Sequence, residues 1–532
     1  MLGKHGNRTT THRQTMNSPA RIKLRTLECP PLQGAASLDE FELHKLALQW
    51  SQSDPIVIRD ERDMKSKASW KDRLEPFEHQ VQNLITFCRR LPVSIIADDV
   101  GLGKTISAGL ILSELMVRQR VNRCLVVCTS LIGPQWVEEL TSKFGIEGKF
   151  QSGSAVRALF RKDYPVVATT YHSAREYMQE ASDAGFDMLI LDEAHKLRNL
   201  YGTPKPPKMA TKIREVLEDR VFKYVLMLTA TPMQNRVWDL YSLIDCLSVA
   251  KGHENPLGNN AEFGARYARN FKYEGWSTTP EGEAFRGILR QYLVRTRRAT
   301  VRLAFPRREL ELRRARATNH DKQLMEIGAA VVNDFYRGSG LIATSLGVAM
   351  MSSPQAFRKQ LYNMSESKPG LRKYADHVDA VVRQYETPSK LGTLLNICEE
   401  LRAVNARTWR LVVFTCRIET QHMIVRRMSD AGIKVGVIKG GSAHENQNAI
   451  REYSSETPEI HVIVSTDSGA EGVNLQAGNV LVNYDLPWNP MVLEQRIGRV
   501  QRLGSKFENV ESSILRSRGA SKTESSPASQ TS

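Results

Sequence analysis

The absences in this 532-residue sequence narrow its chemistry before any motif does. Its seven cysteines are odd in number and scattered, with no C-x-x-C pair, and Cys124 and Cys128 bracket a strand-like CLVVC. Neither a zinc site nor a disulfide framework is indicated, and a reducing compartment fits. No apolar run approaches the roughly 20 residues of a membrane span. The first 26 residues contain no apolar core of a signal peptide. The expectation is a soluble, cytoplasmic protein without a membrane partner. Acidic residues are also short: 58 Asp and Glu against 74 Lys and Arg leave a net charge of +16. That balance favours a polyanionic partner, nucleic acid ahead of an anionic membrane, although a generally basic soluble protein would show it too.

What is present starts with Ile95 to Leu112, IIADDVGLGKTISAGLIL, which reads as strand, phosphate loop and helix. Gly101 and Gly103 free the backbone to curl. The N–H groups opening the helix then form an anion cradle in which Lys104 can reach phosphate and Thr105 can hold Mg2+. Asp99, Gly101, Leu102, Gly103, Lys104 and Thr105 are the expected nucleotide contacts of this loop. Asp98 stands where the strict G-x-x-x-x-G-K-[ST] pattern has its first glycine, so the loop alone would also fit a glycine-rich turn with a surface lysine.

Continuous apolar segments separated by helical ones follow the same plan: SIIA, CLVVCT at Cys124 to Thr129, PVVATT at Pro165 to Thr170, MLIL at Met188 to Leu191, and VLMLT at Val225 to Thr229. Strands of this kind predict an α/β lobe with a parallel sheet covered on both faces. The fourth ends in DEAH, Asp192 to His195, and carboxylates at a strand's C-terminal end lie beside the phosphate loop in such a sheet. Asp192 is placed to hold Mg2+ bridging the phosphates, and Glu193 to orient and deprotonate an attacking water. Thr229, Ala230 and Thr231 end the fifth strand, where hydroxyls can bond the DEAH loop and report nucleotide state, or simply cap.

Between Ala250 and Ser389 the strand pattern lapses. Glu281 to Val294, His320 to Phe335 and the Met-rich Gly340 to Phe357 read as helices, the methionines as core. A second α/β pattern begins at Lys390, with LVVFT (Leu411 to Thr415), VGVI (Val435 to Ile438), HVIVST (His461 to Thr466) and VLVNYD (Val480 to Asp485). It has no phosphate loop. It ends in EQRIGRVQRLG, with Arg496, Arg499 and Arg502 spaced three apart on one helical face. The first lobe lacks an electrophile for the leaving phosphate, so Arg499 and Arg502 are read as arginine fingers supplied across a cleft. The expected division is a basic arm at 1–37, a helical lead-in at 38–73 with a helix at Leu38 to Trp50, a first lobe at 74–250, helical insertions and linker at 251–388, a second lobe at 389–505, and a Ser-rich tail at 506–532.

The segments ADDVGLGKT, LVVCTSLIGPQWVEEL, ILDEAHKLRN, LMLTATPMQN, STDSGAEGVNLQ and VNYDLPWNPMVLEQRIGRVQRLG, between Leu74 and Gly504, stand in the order of superfamily 2 helicase-like ATPases. Within them the chain resembles the Swi/Snf-type translocases, and looks most like the bacterial branch of the RNA-polymerase-recycling ATPases and DISARM-type phage-defence translocases. The resemblance implies two RecA-like parallel-sheet lobes of the P-loop NTPase class with helical insertions between them. It also implies ATP with Mg2+, DNA-stimulated hydrolysis on double-stranded DNA without sequence preference, RNA polymerase or defence-system proteins as further partners, and the bacterial cytosol or nucleoid as the location. By motif, Gln80 would read adenine, Lys104 and Thr105 would bind phosphate and Mg2+, Asp192 and Glu193 would do the chemistry, and His195 with Thr229 to Thr231 would couple the sites. Thr129, Thr170, Arg417 and Asn474 fall in segments lining the nucleic-acid track, Trp488 resembles a tryptophan that meets DNA, and Trp136 is structural. A strand-separating DNA or RNA helicase, and a non-catalytic nucleotide-gated binding subunit or inactive truncated fragment, are the alternatives. The sequence departs from the family at Ser505, after which KFENVESSILRSRGASKTESSPASQTS loses family character. The expectation is a second lobe cut short or frameshifted, with an exposed sheet edge that weakens the finger-bearing lobe.

Overall fold

The computed structural model describes residues 56–71, 74–234, 236–271, 275–384, 387–440, 442–470, 473–503 and 505–518. The arm expected at 1–37 and the helix expected at Leu38 to Trp50 lie outside them. The rest of the lead-in forms two short 3-10 turns, Glu61–Asp63 and Lys65–Ser69, instead of a helix. Among the described residues no helix is long and apolar enough to cross a membrane.

The first sheet has seven strands, all pairing in parallel. They are β1 (Val93–Ile96), β2 (Cys124–Cys128), β3 (Gly148–Phe150), β4 (Val166–Thr170), β5 (Met188–Asp192), β6 (Tyr224–Leu228) and β7 (Leu293–Val294), in the order β3-β4-β2-β5-β6-β1-β7. The central strands are mostly apolar because they feed two cores. Ile95, Leu125, Val127, Leu189, Leu191 and Met227 point to one, while Ile96, Cys124, Val126, Ile190, Leu226 and Leu228 point to the other. The order places β5, β6 and β1 side by side, with Asp192 opposite Leu228 and Leu228 opposite Ile96. The DEAH loop, Thr229 to Thr231 and the phosphate loop therefore leave the sheet together at one edge.

The second sheet is also parallel, with six strands: β8 (Arg307–Arg316), β9 (Leu411–Thr415), β10 (Val435–Ile438), β11 (Val462–Thr466), β12 (Val480–Asn483) and β13 (Asn509–Arg518), in the order β10-β11-β9-β12-β13-β8. Four expectations change here. The region 251–388 is not free of strands: β7 closes the first sheet and β8 forms an edge of the second. The sheet also continues past residue 505, since β13 lies between β12 and β8 with Val510, Ser512, Ser513 and Leu515 buried, so the expected tail supplies an interior strand. The helix expected over Gly340 to Phe357 breaks at Ser353, whose Oγ accepts from the Ala356 N–H (3.1 Å) and caps a new helix, Pro354–Ser365. Finally, the helix carrying the arginines ends at Val500, so Arg502 lies just beyond it. Helices Asn319–Phe335, Gly340–Ser352, Pro354–Ser365 and Arg372–Gln384 enclose a core of their own around Leu324, Val331, Phe357 and Leu361.

A candidate nucleotide site between the two sheets

The phosphate loop is held before any ligand is considered. Gly103 adopts a left-handed conformation (φ 75°) as N-cap of the helix Lys104–Val117, and a Cβ on it would fall 2.5 Å from Gln80 Nε2. Lys104 Nζ donates to the Asp98 carbonyl (2.9 Å), and burial lowers its pKa against the opposing pull of Glu193, Asp192 and Asp98. Asp98, the residue that breaks the generic motif, is fully buried. Its Oδ2 accepts from Asn83 Nδ2 (2.7 Å) and its Oδ1 from the Thr296 N–H (2.7 Å), which ties the loop to the chain leaving β7. Asp99 does not line the cleft. Its Oδ2 accepts from the Arg298 N–H (3.1 Å) and its Oδ1 lies 3.4 Å from Arg295. Gln80 does line the cleft, but its amide braces the loop, donating to the Leu102 carbonyl (3.1 Å) and accepting from the Phe77 N–H (3.0 Å).

A cleft of about 300 Å3 gathers Gln80, Gly101, Leu102, Gly103, Lys104, Thr105, Asp192, Glu193 and Ala230 from the first lobe with Gln476, Gln495, Arg499 and Arg502 from the second. Asp192 Oδ2 accepts from Trp136 Nε1–H (2.8 Å) and Oδ1 from the Glu193 N–H (2.8 Å), while the Tyr171 hydroxyl donates to the Asp192 carbonyl (2.8 Å). Trp136 is thus both core and a donor to the site. Burial, and then the neighbouring Glu193 charge, push the Asp192 carboxyl up to about 6. Glu193 sits in the left-handed region (φ 52°), uncommon for a side-chain-bearing residue and a mark of local strain. Burial works against its charge, but His195, Arg499 and Lys104 prevail and hold it low, at about 2.

The arginines divide into two kinds. Arg496 is a structural bolt: Nε meets Asp467 Oδ1 (2.6 Å) and Nη1 donates to the Asp485 carbonyl (2.7 Å). Arg499 Nη2 lies 3.8 Å from Glu193 Oε1. Arg502 donates from Nη2 to the Val473 carbonyl (3.2 Å), and burial, followed by Arg499, lowers its pKa to about 10. A chain of polar contacts also crosses the cleft. His195 Nδ1 lies 3.3 Å from Glu193 Oε2 and 3.4 Å from Thr229 Oγ1, and that hydroxyl accepts from the Thr231 N–H (3.1 Å). Thr231 Oγ1 in turn accepts from Gln495 Nε2 (3.5 Å), on the arginine helix.

The residues expected on a nucleic-acid track lie outside this cleft. Thr129 follows β2, and Thr170 ends β4 as N-cap of the helix Tyr171–Asp183. Arg417 caps the helix Ile418–Asp430 and donates to Gln360 Oε1 (3.2 Å), Asn474 Oδ1 accepts from the Gln476 N–H (3.2 Å), and Trp488 is 74% exposed.

The donor chemistry suits a divalent cation. Thr105 and Asp192 offer hard oxygen ligands in one cleft, and Mg2+ takes one or two protein ligands beside phosphate and water. No group of three or more His, Cys, Asp or Glu fit to hold a metal unaided occurs among the described residues. Glu193 Oε2 is buried with the His195 Nδ1 contact (3.3 Å) beside it and has acceptor capacity left for a water in the cleft.

Residues 78–370 match the SNF2-related domain, and residues 390–504 match the helicase conserved C-terminal domain. The Bacillus subtilis (strain 168) protein named "Uncharacterized ATP-dependent helicase YqhH" is 28% identical over 474 residues, which cover 88% of this chain and 79% of that one. The "RNA polymerase-associated protein RapA" of Vibrio cholerae (strain M66-2) is 25% identical over 460 residues, covering 79% of this chain but 45% of RapA. The chain thus spans about half the length of that relative. A solved "Sulfolobus solfataricus SWI2/SNF2 ATPase core in complex with dsDNA" is 20% identical with a TM-score of 0.39, covering 84% of this chain and 90% of that one. With the first match running over more than half of its length, this chain belongs to the SNF2-related family of helicase-like ATPases.

Proposed function

We propose that the chain is a DNA-stimulated ATPase that translocates on double-stranded DNA without reading its sequence, moving along the duplex or displacing bound protein. The observation that carries the hydrolytic half is the meeting of Lys104 and Glu193 with Arg499 and Arg502 in one cleft between the lobes. In this reading Lys104 and the N–H groups opening its helix bind the β- and γ-phosphates. A divalent cation on Thr105 and Asp192 would neutralise phosphate charge. Glu193, ionised across the working pH range, holds and orients the attacking water. Arg499 and Arg502 stabilise charge developing on the transferred phosphoryl group. The contacts from Glu193 through His195, Thr229 and Thr231 to Gln495 supply a route by which hydrolysis alters the fit of the lobes.

The DNA-binding half draws support from the +16 charge, the exposed Trp488 and the family. Phosphate-dominated contact makes such binding indifferent to sequence and sensitive to salt. RNA polymerase, with which the RapA relative is by its name associated, is a proposed partner together with defence-system proteins, and the bacterial cytosol or nucleoid is the proposed location. The test is ATP turnover with and without duplex DNA. Equal rates would sink the proposal, and unwinding of a forked duplex would replace translocation by strand separation.

A further inference from the structure

The chain crosses from the first sheet to the second through residues 295–306, between β7 and β8. This linker lies along the nucleotide site. On the phosphate-loop side the Ala97 N–H donates to the Val294 carbonyl (2.7 Å), the Asp99 N–H to the Thr296 carbonyl (3.0 Å), and the Thr296 N–H to Asp98 Oδ1 (2.7 Å). On the arginine-helix side, Gln501 Nε2 donates to the Pro306 carbonyl (2.7 Å) and Arg308 forks onto Glu494 (2.7 and 2.8 Å).

Arg298 joins the two sides. Its Nε donates to the Val100 carbonyl (2.8 Å), in the phosphate loop, and its Nη1 to Gln501 Oε1 (2.7 Å). Its Nη2 is shared between the Val100 and Gln501 carbonyls, the latter at 3.2 Å. Gln501 stands in the chain between Arg499 and Arg502. The approach is close: a Cβ on Gly498 would fall 2.5 Å from Val100 Cγ1. Every hydrogen-bond acceptor of this guanidinium is uncharged, so releasing it strands no carboxylate, whereas breaking the Arg496–Asp467 pair would. A planar fork that can let go suits a joint that opens and closes.

We propose that Arg298 is a positioning residue, a clasp through which the conformation of the phosphate loop sets where Arg499 and Arg502 stand. The proposal rests on the ATPase reading above for its catalytic consequence, but not for its structural one. Two measurements on the full chain test it: amide hydrogen exchange over residues 490–503, and ATP turnover with ATP affinity measured separately. In Arg298→Ala, exchange over 490–503 is expected to rise by about tenfold or more and kcat to fall by about tenfold or more, with ATP affinity within about threefold of the parent, the range of coupled contacts. Arg298→Lys keeps the charge without the fork and is expected to behave likewise. Gln501→Ala is expected to reproduce both effects, and the double variant to be no worse than either single one. Unchanged exchange over 490–503, or losses that multiply in the double variant, would overturn the proposal. If Arg298→Ala unfolds, raising exchange everywhere, Arg298→Lys decides by the same criteria. A parent chain with no turnover defeats the ATPase reading and leaves the exchange measurement to decide the clasp.

Discussion

Arg499 Nη2 stands 3.8 Å from Glu193 Oε1, so a guanidinium on the second sheet's helix faces a carboxylate that follows the end of β5. The pair spans the cleft and helps hold Glu193 ionised. A residue from one lobe thereby conditions the ionisation of a carboxylate in the other. Arg499→Ala is expected to lower turnover by on the order of 10^3 to 10^5 while ATP still binds. Measuring kcat beside nucleotide affinity checks this, and parental kcat in the variant would remove Arg499 from the reaction.

Glu193→Gln keeps the side chain's shape and removes its charge. Turnover should fall by on the order of 10^2 to 10^4, with ATP retained on the protein. Lys104→Ala should instead lose nucleotide binding, because the phosphates lose their nearest cation. A fully active Glu193→Gln variant would refute the role assigned to this carboxylate.

Asp192 gives a stability prediction with a definite sign. Its carboxyl is pushed up from 3.8 to about 6, so the folded protein disfavours the ionised form. Below pH 3.8 both folded and unfolded chains are protonated and no penalty exists; the penalty grows as pH rises through the folded-state value and is complete above it. Asp192→Asn removes that charge but turns an amide N–H2 toward one of the two N–H donors, from Trp136 and Glu193, so its Tm relative to the parent should shift in the variant's favour as pH rises from about 4 to 8. Mg2+ with ATP should stabilise the parent more than this variant. A Tm difference between Asp192→Asn and the parent that stays constant from about pH 4 to pH 8 would contradict the account.

Trp136→Phe keeps an aromatic ring in the core but removes the indole donor 2.8 Å from Asp192 Oδ2. Hydrogen bonds to charged groups are worth about 1.5–3 kcal/mol, so the loss should be largest where Asp192 is ionised. Thermal unfolding at pH 8 and pH 5 should show the larger destabilisation at pH 8. Equal losses at both values would mean that packing alone is involved.

Val510 lies fully buried on β13. Val510→Ala should cost about 2 kcal/mol by the lost methyl groups and the cavity they leave. Limited proteolysis should then cut the second lobe before the first, whereas uncut lobes at parental stability would place 509–518 outside the fold.

The strands that could be read from the sequence were those built on a short apolar run, such as LVVFT and CLVVC, because burial on both faces leaves a continuous signal. Four could not. β3 and β7 hold three and two residues, and β8, RRELELRRAR, is an edge strand whose charges conceal its alternation. β13 buries Ser512 and Ser513, so its letters resemble a polar tail. In the site, Lys104, Thr105, Asp192 and Glu193 were legible from motif and order, and they line one cleft. Gln80 was read for its likeness, yet its amide is spent on the backbone of Leu102 and Phe77. Arg298 had no signal at all, standing in a run with Arg295 and Arg297 where only the fold distinguishes one from another.

The placement of β13 also has a history. β8 leaves the ribosome about 200 residues before the strand that will lie beside it, a delay on the order of tens of seconds at ordinary synthesis rates. Throughout that interval its backbone is a sticky template, with Leu310 and Leu312 outward even in the finished molecule. Glu309, Glu311 and the arginines that flank them, which hid the strand from sight, are the kind of charge that discourages edge pairing with a wrong neighbour until residues 509–518 arrive.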